Sequence, residues 1–246
     1  MIFKDNFTEN NLLFAQPVHF IVYQDEQHQL LPLYEFNMQM PTFKQFYFDD
    51  KMRNFVSIIN APLIDLQEQF AQIAKFNSVY GLIQALILLN NKYTQHYLNN
   101  MASAFSALGM ELKYGEPTLI SMQINGNEID EKIFTRITQI ILLALSLKKQ
   151  SDFIDDPQLR AYQEKIDRIK RQNKPIKGME SGDFKDAFMI LTYEFGYKPD
   201  EIMNMTQYAI NLILGYTGKS IRYKTTLIAA GNGNTKKVKF ITDKGK

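Results

Sequence analysis

The stretch Ile124-Asn-Gly-Asn-Glu-Ile-Asp-Glu-Lys-Ile-Phe-Thr-Arg-Ile-Thr-Gln-Ile-Ile-Leu-Leu-Ala-Leu145 carries two structural patterns side by side. Asn125-Gly126 is the strongest short hairpin signal, because both residues tolerate the positive φ of a tight turn. It joins a strand over Thr118–Ile124 to a very short return strand at Glu128 and Ile129. Asp130 then caps a helix, and Ile133, Phe134, Ile137, Ile140, Ile141, Ala144 and Leu145 recur at helical spacing. So broad an apolar stripe needs other helices to cover it. The reading is a mainly α (α+β) protein: a helical bundle with a small N-terminal β-hairpin and a short mid-chain hairpin. Helix should exceed strand at least about twofold.

Working outward, the N-terminal forty residues read as β structure. Val18–Tyr23 is rich in β-branched and aromatic residues, a polar stretch follows, and Leu30–Phe36 resumes the apolar pattern. Pro32 marks that second strand as an edge. From Pro41 the period becomes helical. Thr42 is positioned to cap a helix from Phe43 that runs on to Ile59, and Asn60-Ala-Pro62 breaks it. Leu63, Leu66, Phe70 and Ile73 share the next helical face. Asn77 or Ser78 starts an apolar helix to Leu89, and another runs from Tyr93 to Leu108 before Gly109.

On the C-terminal side, Ser151–Gly182 is polar and reads as a charged linker or surface helix. Beyond it, Ser181 or Asp183 caps a helix whose Phe184, Ala187, Phe188, Leu191 and Phe195 share a face, ended by Gly196. Lys198-Pro-Asp-Glu-Ile202 restarts a short helix. Thr206 caps a third to Leu214, and Ser220 a fourth. The organisation is therefore 1–150 as a hairpin plus helical domain, 151–182 as the linker, and 183–246 as a helical domain with a basic tail.

The chain has 246 residues, 45% of them apolar and 22% charged, which suits a folded core. It has no cysteine, and this excludes disulfides, thiol nucleophiles and cysteine-ligated metal. The N-terminus carries no secretory pattern, and the longest apolar run, Val79–Leu89, is too short for a bilayer. A reducing, cytoplasmic setting without membrane is expected. The net charge of +2 hides an asymmetry: residues 1–150 hold 11 Lys+Arg against 14 Asp+Glu, and the remainder 17 against 12. Lys236, Lys237 and Lys239 lie in the most basic stretch. It is either a solvated terminus or a contact for an acidic partner; nucleic acid is not the expected partner.

No catalytic motif is present: neither nucleotide-binding glycine pattern, nor a nucleophile elbow, nor a zinc-protease helix. His19, His28 and His96 are too scattered to ligate a metal together. No histidine is expected to meet a carboxylate in a pocket. Asp49-Asp50, Asp155-Asp156 and Asp200-Glu201 are adjacent pairs, and in a helix adjacent side chains diverge. No catalytic residue, cofactor or metal is expected.

The C-terminal half resembles a family of bacteriophage morphogenesis proteins, the tail-assembly chaperones and the gene-product-15-like proteins. The matching residues are Ile124-Asn-Gly-Asn-Glu-Ile-Asp-Glu-Lys-Ile-Phe134, Asp155-Asp-Pro157, Asp183-Phe-Lys-Asp-Ala-Phe188, Phe195-Gly-Tyr197, Asp200-Glu-Ile202, Met205-Thr206, Tyr223-Lys-Thr225 and Ala229-Ala-Gly231. The resemblance implies a non-enzymatic assembly factor in the host cytoplasm that binds the tape-measure or tail-tube protein during tail polymerisation, with self-association as a further option. The alternatives are a structural component of the virion, such as a connector or baseplate protein, or a DNA-associated phage protein. Spacing places Met203, Met205, Tyr208, Leu212 and Tyr216 partly outside any single buried stripe. They are the candidate partner-binding residues, or else they pack on the helix 130–147.

Overall fold

The computed structural model describes residues 2–26, 29–73, 75–89, 91–114, 121–147 and 184–216. The chain divides into two compact units, Met1–Phe153 with Met203–Tyr208, and Ile154–Ile202 with Ala209–Lys246. The linker over 151–182, the helix expected from Ser220 and the basic stretch at Lys236, Lys237 and Lys239 lie outside the described residues. Helix predominates among the described residues, beside two three-stranded antiparallel sheets, so the mainly α (α+β) fold holds.

The first sheet orders β1 (Ile2–Asp5), β2 (Val18–Glu26) and β3 (Gln29–Met38). The expected hairpin is β2–β3, with Val18 opposite Met38 and Glu26 opposite Gln29. Its register shifts between Val22 and Tyr23, where Tyr34 and Pro32 are the successive partners and Leu33 is the extra residue. Pro32 donates no hydrogen bond, and the bulge and edge position accommodate it. In this N-terminal region two elements escape the sequence pattern: β1, and the short helix α1 (Glu9–Phe14) that Thr8 and Asn11 cap reciprocally.

The helices follow their caps. The expected helix from Phe43 to Ile59 is two, α2 (Phe43–Phe48) and α3 (Asp50–Asn60). Thr42 and Gln45 form a capping box on the first. Asp49 divides them, because its carboxylate accepts from the backbone of Lys51 and Met52 and so starts α3. Then come α4 (Leu63–Gln69), α5 (Val79–Leu89), started by the Ser78 hydroxyl on Gly81 N, and α6 (Lys92–Ala107), capped by Asn91. Gly109 follows at φ +77, and a Cβ there would also press on Gln39 at 3.2 Å.

The second sheet comprises β4 (Leu112–Tyr114), β5 (Met122–Ile124) and β6 (Asn127–Ile129). Asn125 and Gly126 adopt φ of 52° and 81°, as the turn requires. Asp130 then caps α7 (Glu131–Ala144) by accepting from Ile133 N at 2.9 Å. Its apolar stripe is buried throughout. Phe134 stacks on Phe105 of α6, which meets Phe55 of α3 edge to face, so one aromatic column joins three helices. Arg136 reaches β1, where both oxygens of Asp5 accept from its guanidinium, and Phe7 lies under the same group.

In the other unit, α8 (Phe184–Phe195) ends at Gly196, φ +71. Next is α9 (Pro199–Asn204), whose last two residues group with the first unit and whose Glu201 accepts from Lys198 N at 2.7 Å. The helix α10 spans 207–216 and straddles the two units.

Candidate partner-binding surface

The five residues chosen by spacing fall into two groups. Met203, Met205 and Tyr208 belong to the short segment that groups with the first unit. There Phe43 N donates to Met205 O at 2.7 Å, and the buried Thr206 hydroxyl donates to Leu12 O at 2.5 Å. The Tyr208 hydroxyl donates to Glu9 Oε1 at 2.6 Å, and its ring packs on the core. Met203 and Met205 are half-buried. Leu212 is also half-buried, on α10, and Tyr216 is 59% exposed.

A more exposed apolar face lies on α8. Leu191 is buried, so the helix has a fixed inner side. Met189 and Tyr193, four residues apart, are both exposed, Tyr193 at 75%. Phe195, which shares the face of Leu191 by spacing, is 44% exposed. Phe195 is the last residue of the helix, directly before Gly196. The i,i+4 spacing of Met189 and Tyr193 was readable from the sequence, but periodicity alone does not separate a second face from core. Met adapts to irregular surfaces and Tyr gives broad contact area at low entropic cost, so this face suits a groove or a helix of a partner.

In the first unit, exposed apolar side chains gather at several places, among them Tyr47 and Phe48 at the end of α2. Leu88, Leu89 and Tyr93 flank the junction of α5 and α6, where the Tyr93 and Tyr97 hydroxyls lie 3.2 Å apart. Leu30, Leu31 and Leu33 line the far half of β3.

The polar groups described mostly hold structure. The Tyr34 hydroxyl donates to Glu128 O, Tyr80 to Ile129 O and Tyr114 to Leu98 O, so three phenols pin the second sheet and its turn to neighbouring elements. Burial, followed by the nearby carboxylates of Asp130 and Glu128, pushes the Tyr34 phenol up to about 12. Burial also raises Tyr80, with the same two carboxylates and Glu131 adding to it, and burial alone raises Tyr114. These are hydroxyls held as donors.

His19 contacts a carboxylate outside any pocket. Its Nε2 lies 3.3 Å from Glu35 Oε2 and its Nδ1 2.9 Å from Asn37 Oδ1. This is a cross-strand contact on an open sheet face: Asn37 is directly opposite and Glu35 is the diagonal neighbour. The exposed His96 contacts Asn100 on its own helix. His28 lies outside the described residues. Asp49 is a cap, Asp50 pairs with Arg53, and Glu201 caps α9. Among the described residues no three His, Asp or Glu side chains gather as metal ligands, and no helix is long and apolar enough to cross a membrane.

No protein-family model matches this chain, and no curated protein and no solved structure matches it either.

Proposed function

We propose that this is a non-catalytic binding protein of bacteriophage tail assembly, a chaperone that holds amphipathic helices of the tape-measure or tail-tube protein in the host cytoplasm until polymerisation. The observation that carries the binding role is the uncovered face of α8, where Met189, Tyr193 and Phe195 stand exposed around a helix anchored by Leu191. Tyr216 adds an exposed aromatic on α10. The sequence resemblance supplies the partner class. Such a surface needs aromatic and methionine side chains that fit several helices in turn, and no bound metal or nucleophile.

Co-expression with the tape-measure protein of the same phage tests this reading. The wild-type chain should co-purify with it, and the pair Met189→Glu with Tyr193→Glu should lose the complex while keeping its helical spectrum and melting temperature. Purified virions should lack the protein. Stoichiometric presence in finished particles would instead identify a connector or baseplate component.

A further inference from the structure

The far half of the β2–β3 hairpin stands apart from the rest of its sheet. Among the described residues β1 pairs with β2 as far as Tyr23, and the pairs Gln24–Leu31, Asp25–Leu30 and Glu26–Gln29 form a two-stranded arm. Two strands alone are marginal in water. Adjacent strand residues face opposite ways, so Leu30 and Leu31 lie on opposite faces of the arm, and Leu33 sits at the bulge. All three are exposed, Leu33 at 51%. Pro32 and the bulge interrupt the outer edge, so this edge does not offer an unbroken ladder of hydrogen bonds to a further strand. Its recognition elements are leucine side chains.

Charge identifies what covers them. Between Lys4 and Lys44 there is no Lys or Arg, whereas Asp5, Glu9, Asp25, Glu26 and Glu35 all fall in that interval. Arg136 engages Asp5, Tyr208 engages Glu9 and His19 lies against Glu35, and the other two acids, Asp25 and Glu26, are in β2 within the arm. The complementary composition is at the other end of the same chain. From Lys219 onward eight basic residues face Asp243 alone. Within that stretch Lys236, Lys237 and Lys239 are interleaved with Val238, Phe240 and Ile241, which supplies apolar side chains and opposite charge together. Among the described residues nothing covers these leucines.

We infer that residues 232–246 of one copy dock on the leucine arm at Leu31 and Leu33 of a second copy. The exchange is reciprocal, and two tails on two arms close a two-fold dimer. Opposite charge brings tail and arm together, and burial of leucine against valine, phenylalanine and isoleucine holds them.

Sedimentation of full-length chains tests the exchange. The wild type should dimerise with increasing concentration, and association should weaken at least about tenfold between roughly 0.05 and 0.5 M salt. An arm variant, Leu31→Ser with Leu33→Ser, and a tail variant, Lys236→Glu, Lys237→Glu and Lys239→Glu, should each be monomeric with unchanged circular dichroism. An equimolar mixture of the two should recover association, because the tail variant retains a sound arm and the arm variant a sound tail. A wild type that stays monomeric at every concentration, variants that dimerise like wild type, or a mixture that fails to associate would each overturn the exchange. Should the arm variant misfold, the tail variant decides alone. Tape-measure binding through α8 is read separately, so the two proposals fail independently.

Discussion

The two antiparallel sheets show two uses of the same pairing. In the second sheet the strands are three residues long, and Leu112, Met122, Ile124 and Ile129 are all buried. In the first, Val18, Phe20, Val22, Phe36 and Met38 are equally buried, yet β2 and β3 continue for several residues past them. At about 3.3 Å per residue, a nine- or ten-residue strand outruns the core it covers. The excess length becomes surface. Strand length relative to the core therefore separates a structural sheet from one that also presents an arm.

The largest expected effect is on the short sheet. Ile129 is fully buried, and its carbonyl accepts from Tyr80. Ile129→Ala should destabilise the protein by about 3 kcal/mol, through lost burial and the cavity left behind. Chemical denaturation measures it. A change below about 1 kcal/mol would show that the second sheet contributes little to the core, and the contrast between the sheets would fall.

The tyrosine at the root of the arm should give an intermediate effect. Tyr34→Phe removes one donor and leaves Glu128 O without it, a loss of about 1 kcal/mol. The pH dependence has a defined sign. The folded-state phenol is pushed up to about 12, above its ordinary 10, so the folded state holds the proton more tightly. Its contribution is complete below pH 10 and declines as pH rises from about 10 to 12. Stability of the wild type should therefore fall more steeply than that of Tyr34→Phe across this window. Parallel curves would show that the hydroxyl is not a buried donor in solution.

What could be read in advance follows the same physical division. Asn125-Gly126, Asp130, Thr42 and Gly109 announce their turn or helix end through local backbone chemistry, and each behaves as its residue type requires. The long apolar stripe of α7 was equally plain. β1 has only four residues and neither face of it is fully buried, so no alternation marks it. β4 is three residues long, too brief for a period. The ends of helices were harder still. Phe195 fits the apolar spacing of α8 and is exposed, while Tyr208, for which spacing leaves partner binding and packing both open, is hydrogen-bonded to Glu9 with its ring on the core. Spacing reports a face, and only the packed neighbours report whether that face is covered.

The smallest expected effect separates arm from core most directly. Leu31 and Phe36 lie on the same strand, and both are apolar. Phe36 stacks on Phe20 at 4.8 Å and is buried, whereas Leu31 is exposed opposite Gln24. Removing a side chain from an uncovered position leaves no cavity and loses little buried area, so Leu31→Ala should change the stability of the monomer by no more than about 0.5 kcal/mol. The measurement belongs at concentrations low enough to hold the chain monomeric, because association through the arm would add to the apparent stability. There the core does not register the loss. A loss of 2 kcal/mol or more at those concentrations, on the scale of a core leucine, would place Leu31 inside the fold of the single chain. The far half of the hairpin would then be core, and the distinction between a sheet that ends with its core and one that outruns it would disappear.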